Sequence, residues 1–196
     1  MVDALVAPGY WVCPKFVCDE IVLTLAREAQ TFWQANAFRQ AQVGTGSQRR
    51  LRRDIRSDHV MWVEPASASP ALQHYLVRIE ELRCMLNQSL YLGLQRFEAH
   101  YAAYPPGSFY QRHLDQFQSA RHRVVSCILY LNADWAPTDG GALRLYEREG
   151  GGAVDVLPQA GTLVVLRSDQ IEHEVLRAQR LRWSLCGWLR LDDDPF

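Results

Sequence analysis

Apolar residues recur at helical spacing across residues 19–38, with Ile21, Leu25 and Phe32 on one stripe. The pattern predicts an amphipathic helix, for which Asp19 supplies an N-cap. A second stripe is formed by Leu72, Leu76, Ile79, Leu82, Leu86 and Leu90. It begins directly after Ser69-Pro70, a capping hydroxyl followed by the residue best suited to the first helical position. Gly93 marks the expected end of this helix. Both helices are expected to pack on a sheet and to carry no chemistry. Between them, residues 41–56 are rich in Gly, Gln and Arg and read as a long hairpin or mobile loop, followed by a short strand at 59–63.

Beyond residue 97 the pattern changes to short strands separated by turn signals. Candidate strands are 97–104, 109–115, 123–132, 142–147, 153–156, 162–167, 172–176 and 181–191, with turns at Asp139-Gly140-Gly141 and Glu149-Gly150-Gly151-Gly152. Antiparallel strands in this number, with helices on one side, predict a mainly β chain with flanking helices: a double-stranded β-helix, or jelly roll, with the N-terminal helices on one sheet. No linker divides the 196 residues. The expectation is one domain over 1–196, with helical support at 1–95 and a jelly-roll core at 96–191.

Composition narrows the function classes. The chain carries 21 basic and 22 acidic residues for a net charge of −1, so global electrostatics point to neither nucleic acid nor a membrane surface as partner. No apolar run approaches the roughly 20 residues that span a bilayer. The N-terminus lacks a basic segment followed by a long apolar one, so no secretory signal is expected. Cys13, Cys18, Cys84, Cys127 and Cys186 are odd in number, scattered and without a C-x-x-C pair. Reduced thiols in a cytoplasmic protein are the simpler reading.

The candidate chemistry begins at Tyr104-Pro105-Pro106-Gly107-Ser108-Phe109-Tyr110-Gln111-Arg112-His113-Leu114-Asp115. On a strand, residues i and i+2 face the same side, so His113 and Asp115 would present an imidazole and a carboxylate together. His173, in another candidate strand, is available as a third ligand. Two histidines and one carboxylate on one face of an octahedral metal leave three positions open, which suits non-haem Fe(II). Nine residues on, Arg182 opens a strand in which Ser184, Cys186 and Trp188 share its face. If that face is interior, the guanidinium needs an anion, and a bound dicarboxylate would meet it through a bidentate pair. Tyr130, in the apolar run ending at Asn132, is a second candidate for that carboxylate.

The spacing of His113-x-Asp115, His173 and Arg182 resembles the 2-oxoglutarate oxygenases. The finer text is similar to prolyl hydroxylases of the hypoxia-sensing type and their bacterial relatives: Ile55-Arg56-Ser57-Asp58-His59-Val60-Met61-Trp62, the Tyr-Pro segment at Tyr104, Tyr130-Leu131-Asn132, Gly140-Gly141-x-Leu143, and Arg182 followed by Trp188. The resemblance implies that His113, Asp115 and His173 hold Fe(II), and that 2-oxoglutarate sets its far carboxylate on Arg182 and Tyr130. It implies Tyr104, Tyr110 and Trp188 as pocket lining, O2 as co-substrate and ascorbate as a candidate reductant. The implied reaction is hydroxylation of a prolyl residue in a protein, with elongation factor Tu as the named candidate. The run Arg49-Arg50-Leu51-Arg52-Arg53 reads as a solvated loop, or as a finger closing over a protein substrate. Alternatives stay open: an oxygenase acting on another residue or small molecule, or a non-catalytic jelly-roll binding module. A nucleic-acid demethylase is disfavoured, because Trp188 stands where that family carries a second arginine. A zinc hydrolase lacks a candidate general base.

Overall fold

Two antiparallel sheets face each other in the computed structural model, which describes residues 1–44, 50–116, 122–147 and 151–191. In chain order the first elements are α1 (Val2–Val6), β1 (Tyr10–Cys13), α2 (Asp19–Gln34), β2 (Arg39–Gln40), β3 (His59–Trp62), α3 (Pro70–Leu90) and β4 (Arg96–Tyr104). Then come β5 (Tyr110–His113), β6 (Arg123–Tyr130), β7 (Leu143–Tyr146), β8 (Ala153–Val156), β9 (Leu163–Arg167), β10 (His173–Val175) and β11 (Arg182–Arg190). The larger sheet has the order β1-β9-β6-β11-β4-β3-β2 and the smaller one β5-β10-β7-β8. This is the jelly roll that the strand pattern predicts, with the helices against the larger sheet.

The larger sheet is buried on both faces, and strand alternation sorts its side chains into two cores. Leu25 and Ala29 of α2, with Leu72, Tyr75, Ile79 and Leu86 of α3, pack on Tyr101, Val125, Cys127, Leu129, Val165, Trp183, Leu185 and Leu189. The opposite face turns Ala102, Tyr104, Ile128, Tyr130, Val164 and Leu166 toward Leu143, Leu145 and Val175 of the smaller sheet. Gly187 falls on the helix side of β11, where a Cβ would stand 2.4 Å from Phe97 Cζ. Only a residue without a side chain lets Phe97 lie there.

Several boundaries differ from the sequence expectation. The first helix stops at Gln34, and Asn36 then takes a positive φ of 55°. Its N-cap is Cys18, with no side-chain cap bond, so Asp19 sits in the first turn and acts on the helix dipole instead. The second helix starts as expected, Ser69 Oγ accepting from the Leu72 amide at 3.1 Å. It ends at Leu90 rather than at Gly93, because Tyr91 adopts the left-handed conformation. The Asn87 side chain closes that end by bonding both the amide and the carbonyl of Leu94, each at 2.8 Å. The short elements α1, β1 and β2 have no counterpart in the predicted set; β1 is an edge strand paired with β9 from Tyr10↔Leu166 to Cys13↔Leu163. In the turn at 149–152, Glu149 and Gly150 lie outside the described residues. Among the described residues no helix is long and apolar enough to cross a membrane.

Leu185 is fully buried at the centre of the larger sheet. Leu185→Ala is expected to lower unfolding free energy by about 2–5 kcal/mol, measured by chemical denaturation; a loss below about 1 kcal/mol would mean that the helix-side core is not close-packed.

Candidate active site

His113 and His173 are cross-strand partners, since β5 and β10 pair antiparallel with His113 opposite His173. Their rings lie 4.3 Å apart between centroids. Each imidazole is oriented by its own backbone: His113 Nδ1 bonds the Gln111 carbonyl at 2.6 Å and His173 Nδ1 bonds the Ile171 carbonyl at 3.0 Å. A carbonyl only accepts, so Nδ1 carries a proton in both rings and Nε2 is the atom that each ring turns toward Asp115. Asp115 Oδ1 stands 3.4 Å from His113 Nε2, and Oδ2 stands 3.6 Å from His173 Nε2. One ligand atom from each of the three residues falls within 4.8 Å of the others.

The i, i+2 expectation fails in one detail: β5 ends at His113, and Asp115 lies just beyond the strand. Its carboxylate is placed by side-chain bonds instead of by the ladder. Ser126 Oγ donates to Asp115 Oδ2 at 2.6 Å, and Ser168 Oγ meets Ser126 Oγ at 2.8 Å. Burial opposes ionisation of Asp115, yet His173, His113 and Ser126 together hold its carboxyl well below the usual carboxylate range. Burial and the neighbouring His113 push His173 down to about 4, so it is a neutral donor at pH 7. Two imidazoles and an ionised carboxylate are the donor set that a divalent transition metal requires.

Deeper in the cavity, Arg182 is 1% exposed. Its Nε donates to the Gly141 carbonyl at 2.8 Å, and Nη1 lies 3.4 Å from Ser184 Oγ. The guanidinium sits between the Tyr104 and Tyr130 rings, 4.9 and 5.1 Å from their centroids. No carboxylate among the described residues pairs with Arg182, and the buried Tyr130 hydroxyl has no hydrogen-bond partner. A buried cation beside an unsatisfied hydroxyl is costly unless an anion enters, and these two groups fit one carboxylate. Gly141 makes the cradle possible: its φ is +64°, and a Cβ there would stand 3.0 Å from Arg182 Cδ. The start of β11 is held by Asn132, whose Oδ1 accepts from the Trp183 amide at 2.6 Å and whose Nδ2 donates to the Trp183 carbonyl at 2.9 Å.

One cavity of about 510 Å³ joins the triad, Arg182 and Tyr104 to an open mouth. Tyr110 stacks on His113 at 3.6 Å and 14°, with the Arg56 guanidinium 4.2 Å over its other face. Arg56 is itself fixed by a bidentate pair, at 2.8 and 2.6 Å, with the fully buried Asp58. Trp188 lines the cavity beside His100, 5.3 Å between centroids. Val43, which lines the cavity, exchanges backbone bonds of 2.9 Å with Arg50. Arg52 pairs with Asp54 and Arg53 bonds Gln40, whereas Arg49 lies outside the described residues.

All eight residues singled out in the sequence therefore converge on one cavity or its immediate wall. The sequence reading left out Ser126, Ser168, His100 and the Arg56–Asp58 pair. Strand alternation could have found two of them: His100 shares a face with Tyr104, and Ser126 shares one with Tyr130.

A jelly roll with two imidazoles and a carboxylate at the mouth of a cavity, above an unpaired buried guanidinium, is a non-haem metal-site architecture with an acid pocket. Comparison with known proteins narrows the class. Residues 99–190 match the 2OG-Fe(II) oxygenase superfamily. The crystal structure of a Pseudomonas putida prolyl-4-hydroxylase superposes with a TM-score of 0.88 at 41% identity, covering 98% of this chain and 97% of that one. Mus musculus Egl nine homolog 1 is 32% identical over 144 residues, 69% of this chain and 35% of that protein. The Caenorhabditis elegans hypoxia-inducible factor prolyl hydroxylase is 27% identical over 200 residues, 92% of this chain and 26% of that protein. The chain thus spans well under half the length of these two relatives. It belongs to the 2OG-Fe(II) oxygenase superfamily, on the branch of the prolyl 4-hydroxylases.

Acid stability follows from the buried imidazoles. Burial, with the Arg56 charge adding to it, pushes His100 down to about 3 in the folded chain, whereas an unfolded imidazole titrates near about 6.5. Between these values the unfolded chain binds the extra proton, so stability is full above about pH 6.5 and falls as pH drops toward 3. His100→Gln is expected to flatten the slope of unfolding free energy against pH in denaturant titrations of the metal-free protein. An unchanged slope would mean that His100 is solvated.

Proposed function

We propose that this chain is an Fe(II)- and 2-oxoglutarate-dependent dioxygenase that hydroxylates a prolyl residue in a protein substrate. The observation that carries the reading is the pairing, in one cavity, of the open triad with a buried guanidinium that meets no carboxylate, and a buried hydroxyl with no hydrogen-bond partner, among the described residues. His113, Asp115 and His173 would hold the metal. Arg182 and Tyr130 would bind the far carboxylate of 2-oxoglutarate, the arginine through a charge-assisted pair and the tyrosine by donating its proton. Bound Fe(II) would supply the oxidation, in which O2 and 2-oxoglutarate give succinate and CO2 while one oxygen enters a substrate C–H bond.

The protein's own groups do the rest. The apolar wall of Ile128, Leu143 and Val175 excludes water around the site. Tyr110, clamped by Arg56, keeps the His113 ring from rotating, and Tyr104 and Trp188 bound the space left for co-substrate and substrate. At the rim, Trp62 is 46% and Leu114 38% exposed, with Val43 and Gly44 in the same lining. Such an apolar rim, with Arg50, Arg52 and Arg53 in the neighbouring chain, suits a peptide segment. The names of the related proteins support a prolyl target. Elongation factor Tu is the first candidate, which would place the reaction in the cytoplasm, with ascorbate as the reductant that sustains turnover.

Incubation of elongation factor Tu with enzyme, Fe(II), 2-oxoglutarate and air is expected to add one oxygen to a proline, read by peptide mass spectrometry. Succinate formation without that gain would discard the substrate and keep the oxygenase; neither product would refute the proposal. His113→Ala and Asp115→Ala are expected to abolish turnover with the circular dichroism spectrum unchanged, and retained activity in either would sink the metal assignment. Arg182→Ala is expected to raise the 2-oxoglutarate KM at least about tenfold, as loss of a charge-assisted bond implies; an unaltered KM would remove Arg182 from co-substrate binding.

A further inference from the structure

Asp115 is the one member of the triad that no strand ladder holds. It lies two residues past the end of β5, and the neighbouring backbone anchor is the Gln116 amide, which donates to the Ser168 carbonyl at 3.1 Å. A carboxylate on such a segment has rotational freedom that a metal ligand must lose. Two hydroxyls meet it. Ser126 is 1% exposed on β6, and Ser168 is fully buried just after β9. Neither takes part in the bound-metal and co-substrate chemistry proposed above.

The direction of the protons follows from counting donors. An ionised carboxylate can only accept, so Ser126 spends its single proton on Asp115 Oδ2, at 2.6 Å. The 2.8 Å contact between the two hydroxyls must then run from Ser168 to Ser126. Each bond polarises the next in a buried, low-dielectric setting. Oδ2 is thereby engaged, and Oδ1 is the oxygen that faces His113 Nε2 at 3.4 Å. Ser168 also anchors the following residue through its carbonyl, so one buried serine sets both the backbone and the carboxylate of this ligand.

We propose that Ser126 and Ser168 form a one-way hydrogen-bond relay that locks Asp115 in its metal-binding rotamer, Ser126 acting on the ligand directly and Ser168 through Ser126. The inference rests on the metal reading of the triad. Partners of metal ligands typically contribute about 10- to 100-fold in metal affinity. The relay therefore predicts a graded series in which the ligand atoms themselves are untouched.

The test is Mn(II) titration into the metal-free full chain, read by loss of the free-ion electron paramagnetic resonance signal, with melting of each metal-free variant as the fold control. Ser126→Ala is expected to weaken Mn(II) binding about 10- to 100-fold, and Ser126→Thr, which keeps the hydroxyl, to restore it. Ser168→Ala should weaken binding less. The double variant Ser126→Ala/Ser168→Ala should be no weaker than Ser126→Ala alone, because the outer serine has nothing left to act through. Wild-type affinity in Ser126→Ala, or a second full loss on adding Ser168→Ala, overturns the relay. Should Ser126→Ala fail to fold, Ser168→Ala decides the matter, and unaltered affinity there overturns it equally. A wild-type chain that binds no Mn(II) refutes the metal reading itself, a result distinct from failure of the relay.

Discussion

The central strand β11 must satisfy two opposite environments at every second residue, and the rest of the molecule is arranged around that requirement. Trp183, Leu185 and Leu189 lie in the apolar core beneath the helices, while Arg182, Cys186 and Trp188 face the cavity. The pleat leaves no intermediate choice, because a shift of one residue would exchange the faces. Pairing on both sides fixes the register: Arg182 lies opposite Tyr104 of β4, and Ser184 opposite Tyr130 of β6. The two tyrosines that flank the guanidinium are thus delivered by strand pairing, not by loops. Helices α2 and α3 contribute by covering the other face, which holds the sheet in place against the opening of a cavity on its inner side.

That cavity concentrates groups that an ordinary core would reject. Asp58 is a fully buried carboxylate, Asp115 a part-buried one, and Arg182 a fully buried cation. Each is made tolerable in a different way. Asp58 has a bidentate arginine, and Asp115 has a serine hydroxyl and two imidazoles. Arg182 has a carbonyl, a distant hydroxyl and two aromatic faces, a set that neutralises none of its charge. The first arrangement is complete without a ligand, whereas the third becomes complete when an anion arrives. The contrast separates groups that build the site from the group that waits for a co-substrate.

Much of this was legible in the chain itself. The Ser69-Pro70 cap, the leucine stripe and the run of short strands predict the helices and the jelly roll, since periodicity and capping are local properties. The resemblance carried by His113-x-Asp115, His173, Arg182 and the Tyr130-Leu131-Asn132 and Gly140-Gly141 motifs named the site residues, and the family follows from the same text. What stayed hidden were supports with no motif of their own. Ser126 lies in an apolar run and Ser168 between an arginine and an aspartate, and the value of both depends on an aspartate that lies off the strand. Gly140-Gly141 reads as a turn, yet Gly141 matters because a side chain there would collide with Arg182.

The sequence alone determined which residue types line each face, where the helices begin and which donors are available, because these depend on residues within a few positions of one another. The tertiary structure alone decided that His113 faces His173, that Ser126 donates to Asp115, and that Arg182 meets no carboxylate among the described residues. Those facts depend on register between strands distant in the chain and on what is absent from a buried volume. Neither can be read from spacing, since the same spacing is compatible with several registers until the two cores choose one.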